Sequence, residues 1–141
     1  MSTKFHILLV EDDEVDAMNV KRAFKKLKVN NPLHHASNGI EALNMLRGGA
    51  GHEKLVPTPR IILLDLNMPQ MNGIEFLTEL RKDKSLKSIS VIVLTTSNEE
   101  QDKVAAYDLN VAGYVLKPVE TEQFFKTICA LNVYWEINEM P

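Results

Sequence analysis

The sequence predicts an α/β protein built on a doubly wound, five-stranded parallel sheet with helices on both faces. The first reason is that short, apolar, β-rich runs alternate five times with stretches whose apolar residues recur at helical spacing. The second is the run IILL at 61–64, which lacks polar alternation, as expected of a central strand covered on both sides. Such alternation of strands and helices favours a parallel sheet with right-handed crossovers.

The first half of the chain contains two strand and helix pairs. The run FHILLV predicts a strand at 5–10, which stops where acidic residues begin. Apolar residues at helical spacing then predict a helix at 13–28. A weaker strand, LHHAS, is expected at 33–37, and it leads into a second amphipathic pattern at 39–47.

The second half of the chain repeats this pattern three times after a long loop. That loop, at 48–60, is marked by Gly and Pro residues. The runs IILLD, SVIVLT and GYVLK predict strands, and each is followed by apolar residues at helical spacing. The strands are expected at 61–65, 90–95 and 113–117, and the helices at 73–82, about 99–109 and about 120–135.

Composition limits the protein to a few classes. A chain of 141 residues, 45% hydrophobic and 25% charged, fits one globular domain over 1–141. The net charge of −3 and the absence of basic runs disfavour nucleic-acid binding. No apolar run approaches the roughly 18 residues that span a bilayer, and acids appear too early for a signal peptide, so we expect a cytoplasmic protein without membrane contact. The single cysteine, Cys129, excludes an intrachain disulfide.

Polar residues at the ends of the predicted strands point to a shared site. In a doubly wound sheet, functional groups collect beyond the carboxyl ends of the strands. Glu11 and Asp12 follow the first strand, Asp65 the third, Thr95 the fourth and Lys117 the fifth. Each could have an ordinary structural role, such as an acid near a helix N-terminus. Their joint occurrence at four separate strand ends instead predicts one cluster of three carboxylates, a hydroxyl and an ammonium.

Crowded carboxylates require a compensating charge. Two of them about 4 Å apart repel by about 4 kcal/mol at an effective dielectric near 20. A cluster of oxygen ligands suits Mg²⁺, with Mn²⁺ as a substitute. The expected ligands are the Asp12 and Asp65 side chains and the backbone carbonyl of Asn67, with Glu11 as a further acid of the cluster. Lys117 could pair with Asp65 in the empty site and with a phosphoryl oxygen in the loaded one, an arrangement equipped for phosphoryl transfer.

Four motifs resemble a known family. LLVEDD, LLDLNMPQMNG, VLTTS and GYVLKP are similar, in order and spacing, to the receiver domain of two-component response regulators, which has the CheY-like, flavodoxin-like fold. The resemblance covers nearly the whole chain. It implies that Asp65 is the phosphoacceptor and that Glu11 and Asp12 are the acidic pair. It also implies that Thr95 is the switch hydroxyl, Tyr114 the switch aromatic and Lys117 the lysine of the site. The Lys117–Pro118 bond resembles the family's cis peptide.

The resemblance also implies a mechanism and a partner. A histidine kinase or phosphotransfer protein would present a phosphohistidine to Asp65, with Mg²⁺ and Lys117 screening the charge. The chain would then be a phosphoacceptor that assists its own phosphorylation and dephosphorylation, and not a conventional enzyme. Thr95 would move toward the phosphoryl group and Tyr114 would turn into the vacated space, changing the partner-binding face by a population shift. Asn67 and Ser97 occupy positions that, in the family, tune the hydrolysis of the acyl phosphate.

Three features depart from a minimal receiver domain. They are the long loop at 48–60, Ser90 where many relatives have Pro, and a C-terminal extension at about 132–141. The loop and the extension resemble single-domain regulators that pair with phytochrome kinases and are often dimers. In the extension, Trp135 and Ile137 could cover the last helix of their own domain. Alternatively, these two residues and Tyr134 could form a homodimer contact.

Two alternative functions remain open from the sequence. A Mg²⁺-dependent phosphatase could also form an aspartyl phosphate, but it would be expected to carry a second acid two residues after its nucleophile, where this chain has Asn67. A scaffold that kept the fold and lost the switch is the other alternative. The intact set of Asp65, Thr95 and Lys117 speaks against it.

Overall fold

A computed structural model describes residues 5–26, 28, 30–117 and 126. Five strands alternate with four helices within these ranges. The elements are β1 (Ile7–Val10), α1 (Glu14–Lys26), β2 (Leu33–Ala36), α2 (Gly39–Arg47), β3 (Ile61–Leu64), α3 (Gly73–Lys82), β4 (Ser90–Thr95), α4 (Glu100–Asp108) and β5 (Gly113–Leu116). The predicted fold class is therefore confirmed. The C-terminal extension and nearly all of the predicted helix at 120–135, including Cys129, lie outside the described residues, as does Pro118.

The sheet is entirely parallel, in the order β2-β1-β3-β4-β5. From β1 the chain first moves outward to β2, and it then returns past β1 to place β3 on the other side. The strand order thus reverses between β1 and β3, which is where a doubly wound sheet forms a crevice beyond its strand ends. In this register Val10 lies opposite Leu64, so the next residue of each strand leaves the sheet side by side.

The core has one apolar layer on each face of the sheet. Alternate side chains of a strand face opposite sides. In β1, Leu8 and Val10 belong to the layer that contains Phe76 of α3, whereas Ile7 and Leu9 belong to the layer that contains Phe24 of α1. All four residues of β3 are buried as well. Burial on both faces explains why IILL shows no polar alternation, and each such side chain contributes about 1.5–3 kcal/mol on burial.

The loop after β3 is held close to the sheet by α3. Asn72 and Glu75 form a capping box, in which each side chain accepts a hydrogen bond from the other residue's backbone N–H. Gly73 donates its N–H to the carbonyl of Leu66 at 2.9 Å. A Cβ on Gly73 would lie 2.6 Å from the Cα of Leu66, so a larger residue could not fit there. This close approach fixes the segment that directly follows Asp65.

The first helix begins at a capped turn close to the end of β1. Asp13 Oδ1 accepts hydrogen bonds from the backbone N–H of Val15 at 2.9 Å and of Asp16 at 3.1 Å. These bonds satisfy donors that the first turn of a helix would otherwise leave unpaired. The first turn of α1 is thereby fixed beside the carboxyl end of the sheet.

Several predicted boundaries differ from the observed ones by one or two residues. The strand expected at 5–10 starts at Ile7, and the strand expected at 61–65 ends at Leu64, which leaves Asp65 just beyond the sheet. The loop at 48–60 contains a cis bond at Val56–Pro57 and an isolated bridge between Gly49 and His52. No helix among the described residues is long and apolar enough to cross a membrane.

Candidate functional site

Three acidic residues converge at the crevice between β1 and β3. Glu11, Asp12 and Asp65 each offer a carboxylate oxygen, and these oxygens all lie within 4.8 Å of one another. Glu11 and Asp65 are buried, with exposed fractions of 2% and 6%, whereas Asp12 is exposed. The backbone N–H of Asp65 donates to the carbonyl of Val10 at 3.1 Å, which extends the β1–β3 pairing to this point. The structure thus brings together the three acids that the sequence placed at strand ends.

Lys117 follows β5 and reaches into this acidic cluster. Its backbone N–H donates to the carbonyl of Thr95 at 2.8 Å, which fixes where the side chain starts. Its Nζ contacts Glu11 Oε1 closely, lies 2.8 Å from Asp16 Oδ2 and lies 3.4 Å from Asp65 Oδ2. The pair predicted from the sequence, Lys117 with Asp65, is therefore present, but it is the longest of three contacts.

Asp16 was not among the residues singled out from the sequence. It lies in the first turn of α1, four residues after Asp12, and its side chain is 37% exposed. Because α1 begins directly after the end of β1, an acid in its first turn can face the same edge of the sheet as Asp12. That spacing could have identified Asp16, although an acid in a first turn is usually explained by the helix dipole.

Burial and the contacts within the cluster shift two pKa values. Burial raises the pKa of Glu11 from 4.5 to about 7, and the nearby Asp65 charge adds to the increase while Lys117 opposes it. Burial also disfavours the charged form of Lys117, but its hydrogen bonds to Asp16 and Glu11 more than compensate and raise its pKa. Lys117 therefore stays an ammonium ion at neutral pH, and the site retains a surplus of negative charge that one lysine does not balance.

The donor atoms of the site fit a hard divalent cation. All three clustered side chains offer oxygen, and none of the described residues adds a thiolate or imidazole to the group. The Asp65 carboxylate is also oriented, because its Oδ1 accepts a hydrogen bond from the Asn67 N–H at 3.2 Å while its Oδ2 faces Lys117. Asn67 itself is exposed, in the segment that Gly73 holds against the sheet.

Thr95 lies at the end of β4 and is fully buried. Its Oγ1 accepts hydrogen bonds from the Ser97 N–H at 3.2 Å and from the Asn67 side-chain amide at 3.5 Å. Within the described part of the chain, no atom accepts a hydrogen bond from the Thr95 hydroxyl. Its proton is thus available to a new acceptor.

Tyr114 is half-buried on β5 and is joined to the segment that follows Thr95. Its hydroxyl donates to the carbonyl of Ser97 at 2.9 Å, and its ring stacks on Tyr107 with the ring centroids 6.5 Å apart. The Ser97 hydroxyl donates in turn to Asp102 Oδ2 at 2.5 Å. The residue that the resemblance implied to be a switch aromatic is therefore bonded to the segment whose movement it would report.

Comparison with known proteins gives a consistent result. The family model described as the response regulator receiver domain matches residues 7–129. The chain is 36% identical over 129 residues to response regulator Rcp1 of Synechocystis sp., covering 92% of this chain and 87% of that protein. It is 37% identical over 131 residues to a probable methanogenesis regulatory protein, FilR2, of Methanothrix harundinacea, covering 93% of this chain and 83% of the relative.

Solved structures are similar over almost the full length. The Mn²⁺-bound form of Rcp1 superposes with a TM-score of 0.80 at 35% identity, covering 97% of this chain and 99% of that one. The bacteriophytochrome response regulator AtBRR superposes with a TM-score of 0.81 at 38% identity, covering 99% of this chain and 100% of that one. Both superpositions therefore cover nearly all of the two chains compared.

Proposed function

The chain belongs to the response regulator receiver domain family of two-component systems, and we propose that it accepts a phosphoryl group from a histidine kinase on Asp65. The observation that carries this proposal is the convergence of Glu11, Asp12 and Asp65, whose carboxylate oxygens lie within 4.8 Å of one another. The ammonium of Lys117 contacts two of these acids, Glu11 and Asp65. We also propose that residues 1–141 form a single receiver domain with a C-terminal extension at about 132–141.

The proposed chemistry is an attack by a carboxylate oxygen of Asp65 on the phosphorus of a phosphohistidine. A new O–P bond forms, the N–P bond breaks, and its electron pair stays on the imidazole of the donor. The product is an acyl phosphate. Asp65 is buried and its carboxylate is held from both sides, by the Asn67 N–H and by Lys117, so it is oriented before the donor arrives.

A divalent cation would complete the site. The residues proposed to hold it are Asp12, Asp65 and the backbone carbonyl of Asn67, with Glu11 as the buried acid beside them. Mg²⁺, or Mn²⁺ in its place, would neutralise charge on the transferring phosphoryl group. The all-oxygen donor set supports this choice, and the relative Rcp1 has been crystallised in a Mn²⁺-bound form.

Phosphorylation is proposed to act as a switch through Thr95. The oxygens added to Asp65 would offer the acceptor that the Thr95 hydroxyl does not have among the described residues. Movement of Thr95 would carry with it Ser97, which is bonded to both Tyr114 and Asp102. The face formed by α4 and β5 would then shift toward the arrangement that binds the phosphoryl group better, which is a population shift.

We further propose a histidine kinase of the phytochrome class as the donor. AtBRR, which matches this chain over its whole length, is named as a bacteriophytochrome response regulator. We also propose a homodimer formed through Tyr134, Trp135 and Ile137. The protein is further proposed to be cytoplasmic and to make no contacts with nucleic acids or membranes. Sizing of the protein before and after phosphorylation would test the dimer.

The central experiment is incubation with acetyl phosphate and Mg²⁺, followed by intact mass measurement. The wild-type protein should gain one phosphoryl group and Asp65→Asn none, because the amide is not a nucleophilic carboxylate. Asp108→Asn, a variant of an exposed acid on α4, is the matched control and should be modified like wild type. Modification of Asp65→Asn to the wild-type extent would contradict the assignment.

The same protein can be tested as a phosphatase. Asn67 stands where a phosphatase would carry its second acid, and its side-chain amide donates to the Thr95 and Thr96 hydroxyls at 3.5 and 3.4 Å. An amide cannot deliver a proton as a carboxylic acid can, so we expect no sustained turnover of a generic phosphate monoester. Many turnovers per protein would favour the phosphatase instead.

A further inference from the structure

The ammonium of Lys117 is shared among three carboxylates from three segments of the chain. Glu11 follows β1 and Asp65 follows β3, and both are buried. Asp16 lies on α1 and is 37% exposed, yet its Oδ2 is 2.8 Å from Nζ, against 3.4 Å for Asp65 Oδ2. The residue proposed to receive the phosphoryl group thus has a longer contact with the lysine than an acid outside the four recognised motifs.

We propose that Asp16 is a positioning residue that keeps Lys117 at a longer distance from Asp65 than from itself, and that it competes with the incoming phosphoryl group for the ammonium. This inference rests on the proposed function, because it concerns how readily the same site accepts a phosphoryl group. Among the described residues no hydrogen bond links Asp16 to Asp65, so Asp16 would act through the position of the ammonium.

The competition follows from the number of donors. A lysine ammonium has three N–H groups, and Lys117 has three carboxylate partners, so a phosphoryl oxygen can gain one of these donors only if another partner is released. Release of Glu11 would leave a buried carboxylate without its cation, which is costly. Asp16 is partly exposed, so water can replace the ammonium there at small cost. Of Glu11 and Asp16, the two partners other than the proposed phosphoacceptor, Asp16 is therefore the one that Lys117 releases more readily.

The position of Asp16 is set by the start of α1. Its backbone N–H is bonded to Asp13 Oδ1 at 3.1 Å, so the turn that carries the carboxylate is fixed beside the site. The exposure of Asp16 also limits the size of its effect. A partly exposed ion pair changes an equilibrium by about two- to fivefold, so Asp16 would adjust occupancy of the phosphorylated state without preventing it.

The test is the affinity for beryllofluoride, a stable mimic of a phosphoryl group, measured calorimetrically with saturating Mg²⁺. Asp16→Asn should bind it about two- to fivefold more tightly than wild type, because one competitor for Lys117 loses its charge. The separate variant Asp16→Glu, which keeps a carboxylate at this position, should bind beryllofluoride with the wild-type affinity. Glu14→Gln is the matched control, since it removes one negative charge from the same helical turn, and Glu14 forms none of the described ion pairs of Lys117.

A double-mutant cycle separates positioning from a general charge effect. In the Lys117→Met background, Asp16→Asn should no longer change the affinity, because the ammonium through which Asp16 acts is gone. An equal gain in affinity for Asp16→Asn and Glu14→Gln would overturn the inference about Asp16, as would an effect that persists without Lys117. Failure of wild type to bind beryllofluoride would instead count against the proposed function itself, and against the inference that rests on it.

Discussion

The two sides of the Asp65 carboxylate are held by different kinds of contact. On one side, the charged side, Lys117 joins Glu11, Asp16 and Asp65 in a single network of ion pairs. On the other, the neutral side, the Asn67 N–H donates to Asp65 Oδ1 at 3.2 Å. Thr95, which is bonded to the Asn67 side chain, accepts bonds of 3.2 and 3.5 Å from uncharged donors. Charge-assisted hydrogen bonds are about twice as strong as neutral ones, so the charged side is the more strongly bonded part of the site.

This difference suggests a division of labour. A phosphoryl group adds negative charge beside Asp65, and the ammonium of the charged side supplies the positive charge that favours it. The neutral side has long bonds and an unused hydroxyl proton, so it can rearrange at low cost when a new acceptor is present. A site that must both bind and signal therefore combines a strongly bonded half with a weakly bonded half that rearranges.

The largest expected effect comes from removing the lysine. Lys117→Met should lower the free energy of unfolding of the metal-free protein by about 3 kcal/mol, because buried carboxylates lose their partner. Urea denaturation measures this directly. Lys84→Met, which alters an exposed lysine outside the described ion pairs, should change stability by less than about 0.5 kcal/mol. A loss as small as that of the control would mean that the ion pairs of the charged side do not stabilise the fold.

Magnesium binding to the charged side should stabilise the folded protein, whereas removal of the lysine destabilises it. A ligand that binds only the folded state stabilises it by mass action, by about 2.7 kcal/mol at 100 times its dissociation constant. The melting temperature should therefore rise with added Mg²⁺, and the rise should be much reduced in Asp12→Asn. If scanning calorimetry shows the same melting temperature with Mg²⁺ and with chelator, the acidic cluster is not a preformed cation site.

A smaller effect is expected from Glu11 as the pH changes. Its folded-state pKa is raised, from 4.5 to about 7, so the folded protein holds this proton over a range where the unfolded chain has lost it. The corresponding stability is fully present below pH 4.5 and is lost as the pH rises through about 7. In metal-free buffer the Glu11→Gln variant, which does not titrate there, should have a flatter stability profile over this range. Superimposable profiles of the two proteins would show that burial does not raise this pKa.

The smallest effect is expected on the neutral side. Tyr114→Phe removes the hydroxyl that donates to the Ser97 carbonyl, at a cost of about 1 kcal/mol in unfolding free energy. Phosphorylation by acetyl phosphate should proceed almost as in wild type, because Tyr114 does not contact Asp65. Tyr107→Phe is a suitable control for a nearby exposed ring. A large loss of phosphorylation in Tyr114→Phe would show that the two sides are not separate.

Much of this organisation was accessible from the sequence. The alternation of apolar runs and helical patterns identified the five strands and four of the helices, because strand and helix periodicity are local properties of the chain. The four strand-end motifs placed Glu11, Asp12, Asp65, Thr95 and Lys117 at one edge, since parallel strands share a direction. The predicted strand boundaries were less accurate, as at Ile7 and Leu64, because the end of a strand depends on its pairing with a neighbouring strand.

Which partner each charge selects was decided only by the tertiary structure. Asp16 enters the site because the capped first turn of α1 brings its carboxylate to 2.8 Å from Lys117, and no sequence spacing fixes such a distance between residues 101 positions apart. The bond from Tyr114 to the Ser97 carbonyl likewise depends on how β5 packs beside the end of β4. Local patterns determine which groups reach the crevice, whereas contacts that change over a fraction of an ångström depend on the packing of segments far apart in the chain.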